Sequence, residues 1–177
     1  MMAGLFSPSD GEMTLDGEVI EGTNRRRGMV FQQDAVFPWM TVAKNISYEP
    51  RGFEDRWPRE LSGGMRKRVD IGRVYANDPD VLLMDEPFGA LDAQTKERMQ
   101  SDLLATWQKS KKTVVFVTHD IEEAIFLSDK IIVLSSRPGR VHHIEEVSLP
   151  RPRNEEMRLT EDFLGHCQLI CTHLNAT

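Results

Sequence analysis

Val81-Leu82-Leu83-Met84-Asp85-Glu86-Pro87 decides how this chain folds. Four apolar residues in an unbroken run show no alternation, so they read as a short strand buried on both faces, as in parallel sheets. Before it, Ser62 is a good N-cap, Gly63 and Gly64 open a helix, and Met65, Val69 and Val74 supply that helix's apolar side. Asn77-Asp78-Pro79-Asp80 ends it. After it, a helix is expected from about Ala93, with Met99, Leu103 and Trp107 in one stripe. A second apolar run, Val114–Val117, follows. Asp120 then caps another helix, with Glu123 as its capping-box partner. A third run, Ile131–Leu134, precedes a turn at Arg137-Pro138-Gly139-Arg140. Strands alternating with helices predict an α/β fold of parallel βαβ units, crossing right-handedly onto one central sheet.

The flanks are simpler. Asp16-Gly17 between two short apolar pieces is a hairpin signal, Gly28–Phe31 reads as a strand, and Thr41 caps a short helix through Ile46. Asp34 to Trp39 is a loop, and Pro50, Arg51 and Gly52 break the pattern again. Arg151-Pro152-Arg153 leads into a last helix striped by Leu159, Phe163, Cys167, Ile170 and Leu174.

A chain of 177 residues leaves room for about one domain. Its 22 Lys+Arg against 28 Asp+Glu give a net charge of −6, which argues against holding nucleic acid by charge alone. The composition, 40% hydrophobic and 28% charged, is that of a globular protein. No apolar run approaches the ~18 residues of a membrane span. The start, Met-Met-Ala-Gly-Leu-Phe, lacks the basic opening and long apolar core of a signal peptide, so a cytoplasmic chain is expected. Cys167 and Cys171 are too few for a disulfide framework, and with His166 and His173 they read as parts of a helix rather than a metal site. His142 and His143 alternate along a strand and should face opposite ways. Trp39 and Trp57 read as core or subunit-contact residues.

Ligands of open parallel sheets bind beyond the carboxyl ends of the strands. Here those ends carry Asp85-Glu86 and Thr118-His119-Asp120. Two adjacent carboxylates at a buried strand end repel each other, and a bound cation relieves this. Asp85 is placed to hold Mg²⁺, Glu86 to polarise a water and His119 to contact a phosphate oxygen, the roles that phosphoryl transfer needs. Taken alone, His119 is better read as a strand-end hydrogen bonder. Leu61-Ser62-Gly63-Gly64-Met65 adds a helix start where a backbone stripped of side chains can approach an anion.

Leu-Ser-Gly-Gly-Met (61–65), Val-Leu-Leu-Met-Asp-Glu-Pro (81–87), Gly-Ala-Leu-Asp (89–92) and Val-Thr-His-Asp (117–120), in that order, resemble the nucleotide-binding subunit of an ABC transporter. The similarity runs from Gly11 to Leu149. Val30–Asp34, Asp85–Thr95, Arg137–Arg140 and Leu149–Arg153 are similar to the nitrate, sulfonate and taurine branch of bacterial importers. The resemblance implies a P-loop NTPase (RecA-like) fold, ATP and Mg²⁺ as cofactors, a second ATP-binding subunit as partner in a homo- or heterodimer, and membrane-spanning permease subunits. It places the chain on the inner face of the cell membrane. It gives Gln32 contact with Mg²⁺ and a relay to the membrane subunits. Ser62, Gly63 and Gly64 become the signature closing over the γ-phosphate, Asp85 the metal carboxylate, Glu86 the catalytic carboxylate and His119 the switch histidine. Asp92 is either the family's D-loop aspartate or a helix N-cap.

Two departures qualify this. Nowhere among the 177 residues is there a Gly-x-x-x-x-Gly-Lys-Ser/Thr, the phosphate loop; the chain is expected to begin downstream of it, as an incomplete ABC ATPase domain. The stretch from Gln32 to Ser62 is also short, with Tyr48-Glu49-Pro50 running almost directly into Gly52-Phe53-Glu54-Asp55-Arg56-Trp57. The expected layout is therefore a partial ATPase domain over 1–150, with a shortened helical subdomain at about 40–76, and a linker and helix over 151–177. In the signature helix, Lys67, Asp70, Gly72 and Tyr75 replace the family's usual Gln, Ala, Ala and small aliphatic; Gly72 costs ~1 kcal/mol relative to Ala, and Asp70 is costly if that face is buried. The expectation is an importer subunit impaired in hydrolysis when alone. A non-hydrolysing dimerisation or regulatory module and a degenerate fragment stay open. A DNA-repair or translation ATPase is disfavoured, since neither long coiled coils nor a basic face is present.

Overall fold

The computed structural model describes residues 1–46 and 55–175. The expected break at Pro50, Arg51 and Gly52 lies outside the described residues. The chain folds as two compact units, residues 1–99 with 111–117, and residues 100–110 with 118–177.

In the first unit, strands β1 (Thr14–Leu15) and β2 (Glu18–Val19) form an antiparallel hairpin. Its turn needs two left-handed residues, which Asp16 (φ 52°) and Gly17 (φ 83°) supply. Strand β3 (Arg27–Val30) is followed by the short helix α1 (Val42–Asn45), capped by Thr41, and by α2 (Gly63–Ala76), whose N-cap Ser62 accepts from the Met65 amide. Strand β4 (Val81–Asp85), the first turns of helix α3 (Ala93–Ser110) and strand β5 (Thr113–Val117) complete the unit. The three longer strands form a parallel sheet in the order β3-β4-β5, with Met29 opposite Leu83 and Leu83 opposite Val115. Leu82 and Met84 are at most 1% exposed, as the unbroken apolar run requires. Gly28 is dictated by packing: a Cβ there would lie 2.4 Å from Val74 of α2. Val42, Ile46, Leu61 and Val69 form a small core between α1 and α2.

The second unit contains residues 100–110 of α3, helix α4 (Ile121–Leu127), strands β6 (Lys130–Leu134) and β7 (Val141–Glu146), and helix α5 (Glu161–Asn175). Its core gathers Leu104, Ile125, Phe126, Ile131, Val133, Val147, Leu149, Phe163 and Ile170. Here one expectation is corrected. Ile131–Leu134 is no doubly buried parallel strand but half of an antiparallel hairpin with β7, closed by the turn at 135–140. Ile131 and Val133 point into the core while Ile132 and Leu134 are more than half exposed. An all-apolar run conceals that alternation, because both faces carry the same residue types. The capping box at α4 is also rearranged. Asp120 accepts from the Glu123 amide at 3.1 Å as expected. The Asp120 amide, however, donates to Thr118 Oγ1, and the buried Glu123 carboxylate accepts from Gln100 Nε2 at 2.8 Å.

Candidate functional site

The carboxyl ends of β3 and β4 bring the first group together. Val30 stands opposite Met84 in the register, so the residues two positions on, Gln32 and Glu86, leave the sheet side by side. Gln32 Nε2 donates to Glu86 Oε2 at 3.2 Å. That turns the donor-only amide nitrogen to the carboxylate and leaves the Gln32 oxygen as the atom suited to a cation. Asp85 is still a strand residue, opposite Val117, and is exposed. Glu86 departs through the left-handed region at φ 40°, a strained conformation for a residue with a Cβ. Its amide is held by the Val117 carbonyl at 2.9 Å, and its own carbonyl accepts from the Gly89 amide at 3.1 Å.

Ser62, Gly63 and Gly64 lie at the start of α2, with Ser62 exposed and its Oγ accepting from the Met65 amide at 3.3 Å. The two glycines differ. A Cβ on Gly63 would meet nothing closer than 3.9 Å, whereas one on Gly64 would lie 2.5 Å from Thr95 Cγ2. Asp92 accepts from the Thr95 amide at 3.0 Å and caps α3. That backbone hydrogen bond is the main cause holding its carboxyl below the usual aspartate range. His119 belongs to the second unit, in the link between Val117 and the α4 cap Asp120. The structure thus joins Gln32 with Glu86 beside Asp85, and leaves Ser62–Gly64 at a separate helix start of the same unit.

Sequence reasoning missed a buried charge cluster behind Gln32. Lys67, 3% exposed, donates from Nζ to the carbonyls of Phe31 (3.1 Å) and Gln32 (3.2 Å) and pairs with Asp34 at 3.0 Å. Asp70, fully buried, lies 3.8 Å from Lys67 and accepts from Arg73 at 3.2 Å. Burial pushes the Asp70 carboxyl above its ordinary value, against the pull of Lys67 and Arg73. Lys67 and Asp70 stand three apart on one helix, a spacing that signals an ion pair; their co-occurrence was the available clue. Gly72 is explained too, since a Cβ there would press on Ile46 at 3.2 Å.

Other expectations need revision. Trp39 is 67% exposed and Trp57 39%, which removes the core alternative and leaves the subunit-contact one. His142 and His143 do not diverge fully: His143 stacks on His173 at 3.8 Å between ring centroids, and His142 meets it edge-on at 5.7 Å. Among the described residues no three or more His, Cys, Asp or Glu are grouped to hold a metal ion by themselves. No helix among them is long and apolar enough to cross a membrane.

The oxygen donors Asp85, Glu86 and Gln32 suit Mg²⁺, which keeps waters and phosphate oxygens among its ligands rather than taking an all-protein cage. They do not supply the backbone nest and lysine that hold β- and γ-phosphates.

Known proteins resemble this chain along most of its length. The ABC transporter family profile matches residues 1–89. An uncharacterized ABC transporter ATP-binding protein of Methanocaldococcus jannaschii is 46% identical over 193 residues, covering 96% of this chain and 71% of the relative. An aliphatic sulfonates import ATP-binding protein of Bacillus cereus is 42% identical over 175 residues, covering 88% and 70%. Among solved structures, a dimeric ATP-binding cassette in a post-hydrolysis state with ADP and Pi superposes with a TM-score of 0.67 at 30% identity, covering 82% of this chain and 77% of that one.

Proposed function

We propose, on the premise that this chain belongs to the ABC transporter family of ATP-binding domains, that it serves a bacterial-type importer of small anions as the half of a nucleotide sandwich that closes over a partner's ATP. The family binds ATP with Mg²⁺, and the α/β fold with its parallel sheet is that of its P-loop ATPases. Relatives named for aliphatic sulfonate import support sulfonates as the transported class, while nitrate and taurine rest on the motif resemblance alone.

The observation that carries the reading is the open start of α2, where Ser62 is exposed and a Cβ on Gly63 would meet nothing closer than 3.9 Å, so its backbone amides are accessible to a partner's phosphates. By the family resemblance Asp85 and the Gln32 oxygen would hold Mg²⁺, which would supply charge neutralisation to phosphates seated on that side. Glu86, its carboxylate fixed by Gln32, would be the catalytic carboxylate of that side, but without a phosphate nest it faces an empty cradle in the mixed dimer. His119 would carry the family's switch-histidine role. Ser62, Gly63 and Gly64, with the backbone amides of the α2 start, and Asp92 are offered across the dimer to the partner's nucleotide. The second ATP-binding subunit and the membrane permease subunits are the partners, and nucleic acid is not one. Through the permease the chain sits peripherally on the inner face of the membrane. Because these residues include no phosphate nest, the chain by itself has no appreciable ATPase activity. Steady-state Mg-ATP turnover of the purified chain tests this: none is expected, and a family-like rate abolished by Glu86→Gln overturns it.

A further inference from the structure

Lys67 is a lysine with almost no access to water, and isolated ammonium groups are not buried without cause. Its partners say what it holds. Two of its three short contacts are backbone carbonyls, those of Phe31 and Gln32, and the third is the Asp34 carboxylate. All three lie on the segment that leaves β3, and the middle residue is the one whose side chain reaches Glu86. Asp34 is itself tied to α2 a second time, by Arg66 Nε at 3.3 Å. Asp70 stands behind Lys67 with Oδ2 buried and without a hydrogen bond, so it acts on the ammonium by charge rather than by a directed bond. One helix thus begins with Ser62–Gly64 and, one turn further on, grips the backbone of Gln32.

We infer that Lys67 is a positioning residue: by binding the Phe31 and Gln32 carbonyls and Asp34 it fixes the Gln32 side chain against Glu86 and makes that geometry depend on the α2 helix. The inference rests on the roles proposed above for Gln32 and Glu86, but its test needs no nucleotide. A second arm on the same segment fits the assignment. Asn45, also buried, donates to the carbonyls of Phe37, Met40 and Thr41 and accepts from the Phe37 amide at 2.7 Å, so the segment after Gln32 is anchored at both ends.

The experiment follows the side-chain amide resonance of Gln32 by NMR in the nucleotide-free full chain, assigned with Gln32→Glu. Lys67→Met removes the ammonium but leaves Asp70 a lone buried charge, and the fold itself can suffer. Lys67→Met combined with Asp70→Leu removes both charges, a replacement that buried pairs commonly tolerate. In the folded double variant the Gln32 resonance is expected to shift to the position of freely exposed glutamines, while β3–β5 backbone resonances stay in place. Lys67→Arg, which retains donors to both carbonyls, is expected to restore most of the original shift. A Gln32 resonance unchanged in the folded double variant overturns the inference and leaves Lys67 a structural charge only. A shifted resonance in a chain that proves to have no part in ATP hydrolysis keeps the clamp and removes the function proposed for it.

Discussion

Gly63 and Gly64 are equivalent in a motif and unequal in the fold. Gly64→Ala drives a Cβ to 2.5 Å from Thr95 Cγ2, on a β-branched side chain that is stiff at χ1. We expect it to cost about 1–3 kcal/mol, as overpacking does. Gly63→Ala meets nothing within 3.9 Å and, by restricting the unfolded chain, should leave thermal stability unchanged or slightly higher. Paired thermal melts check this; equal losses at both positions would contradict the packing account. Asp92 gives a second residue-scale test. Its carboxyl is held below the ordinary range by the Thr95 amide, so its ionised form contributes stability that is present above the unfolded pKa and lost as pH falls through the lower folded value. Melts of Asp92→Asn against the parent chain should therefore differ at neutral pH and converge in acid below the usual aspartate range. At this scale the sequence was readable where chemistry is local. Ser62 and Thr41 cap the helices their spacing predicted. The positive φ of Glu86 and the grip of Lys67 on Gln32 were not readable, because both depend on neighbours 31 to 54 positions away.

Among the elements, α4 is held by a device that only the folded chain reveals. The Arg153 guanidinium, wholly buried, donates to the carbonyls of Ile125, Phe126 and Ser128 at 2.7–3.1 Å. These are carbonyls at the helix end, which lack partners within the helix. Burial is the main cause pushing the Arg153 pKa down to about 10, with Arg151 adding to it, so the guanidinium remains charged at neutral pH. Arg153→Met keeps most of the volume and removes every donor. We expect a loss on the order of 2–3 kcal/mol, from carbonyls left buried without partners, with hydrogen exchange quickening first at the end of α4. A loss spread evenly over both units would contradict a local capping role. The strands show why element type and element partner are separate questions. Val81–Met84 and Val114–Val117 went to the parallel sheet as their apolar runs predict. Ile131–Leu134 has the same composition yet pairs antiparallel with β7, because Pro138-Gly139 returns the chain at once rather than through a helix.

At the scale of the molecule, four short motifs in order were enough to point to the family, since each sits at a helix start or a strand end where local chemistry and position coincide. The same motifs describe only part of a catalytic centre: a metal and water side in Asp85, Glu86 and Gln32, and a helix start in Ser62–Gly64, without the nest that seats a triphosphate. The proposed function uses the second of these, with Ser62–Gly64 offered to a nucleotide held by the partner. The most direct test is complementation. An intact relative carrying its own Gly-Lys-Ser/Thr is given a signature serine-to-arginine change that silences its homodimer, and this chain is then added. Mg-ATP turnover should reappear in proportion to the mixed dimer and vanish when Ser62→Arg is added instead. No recovery of turnover from a mixed dimer shown to form would contradict the account.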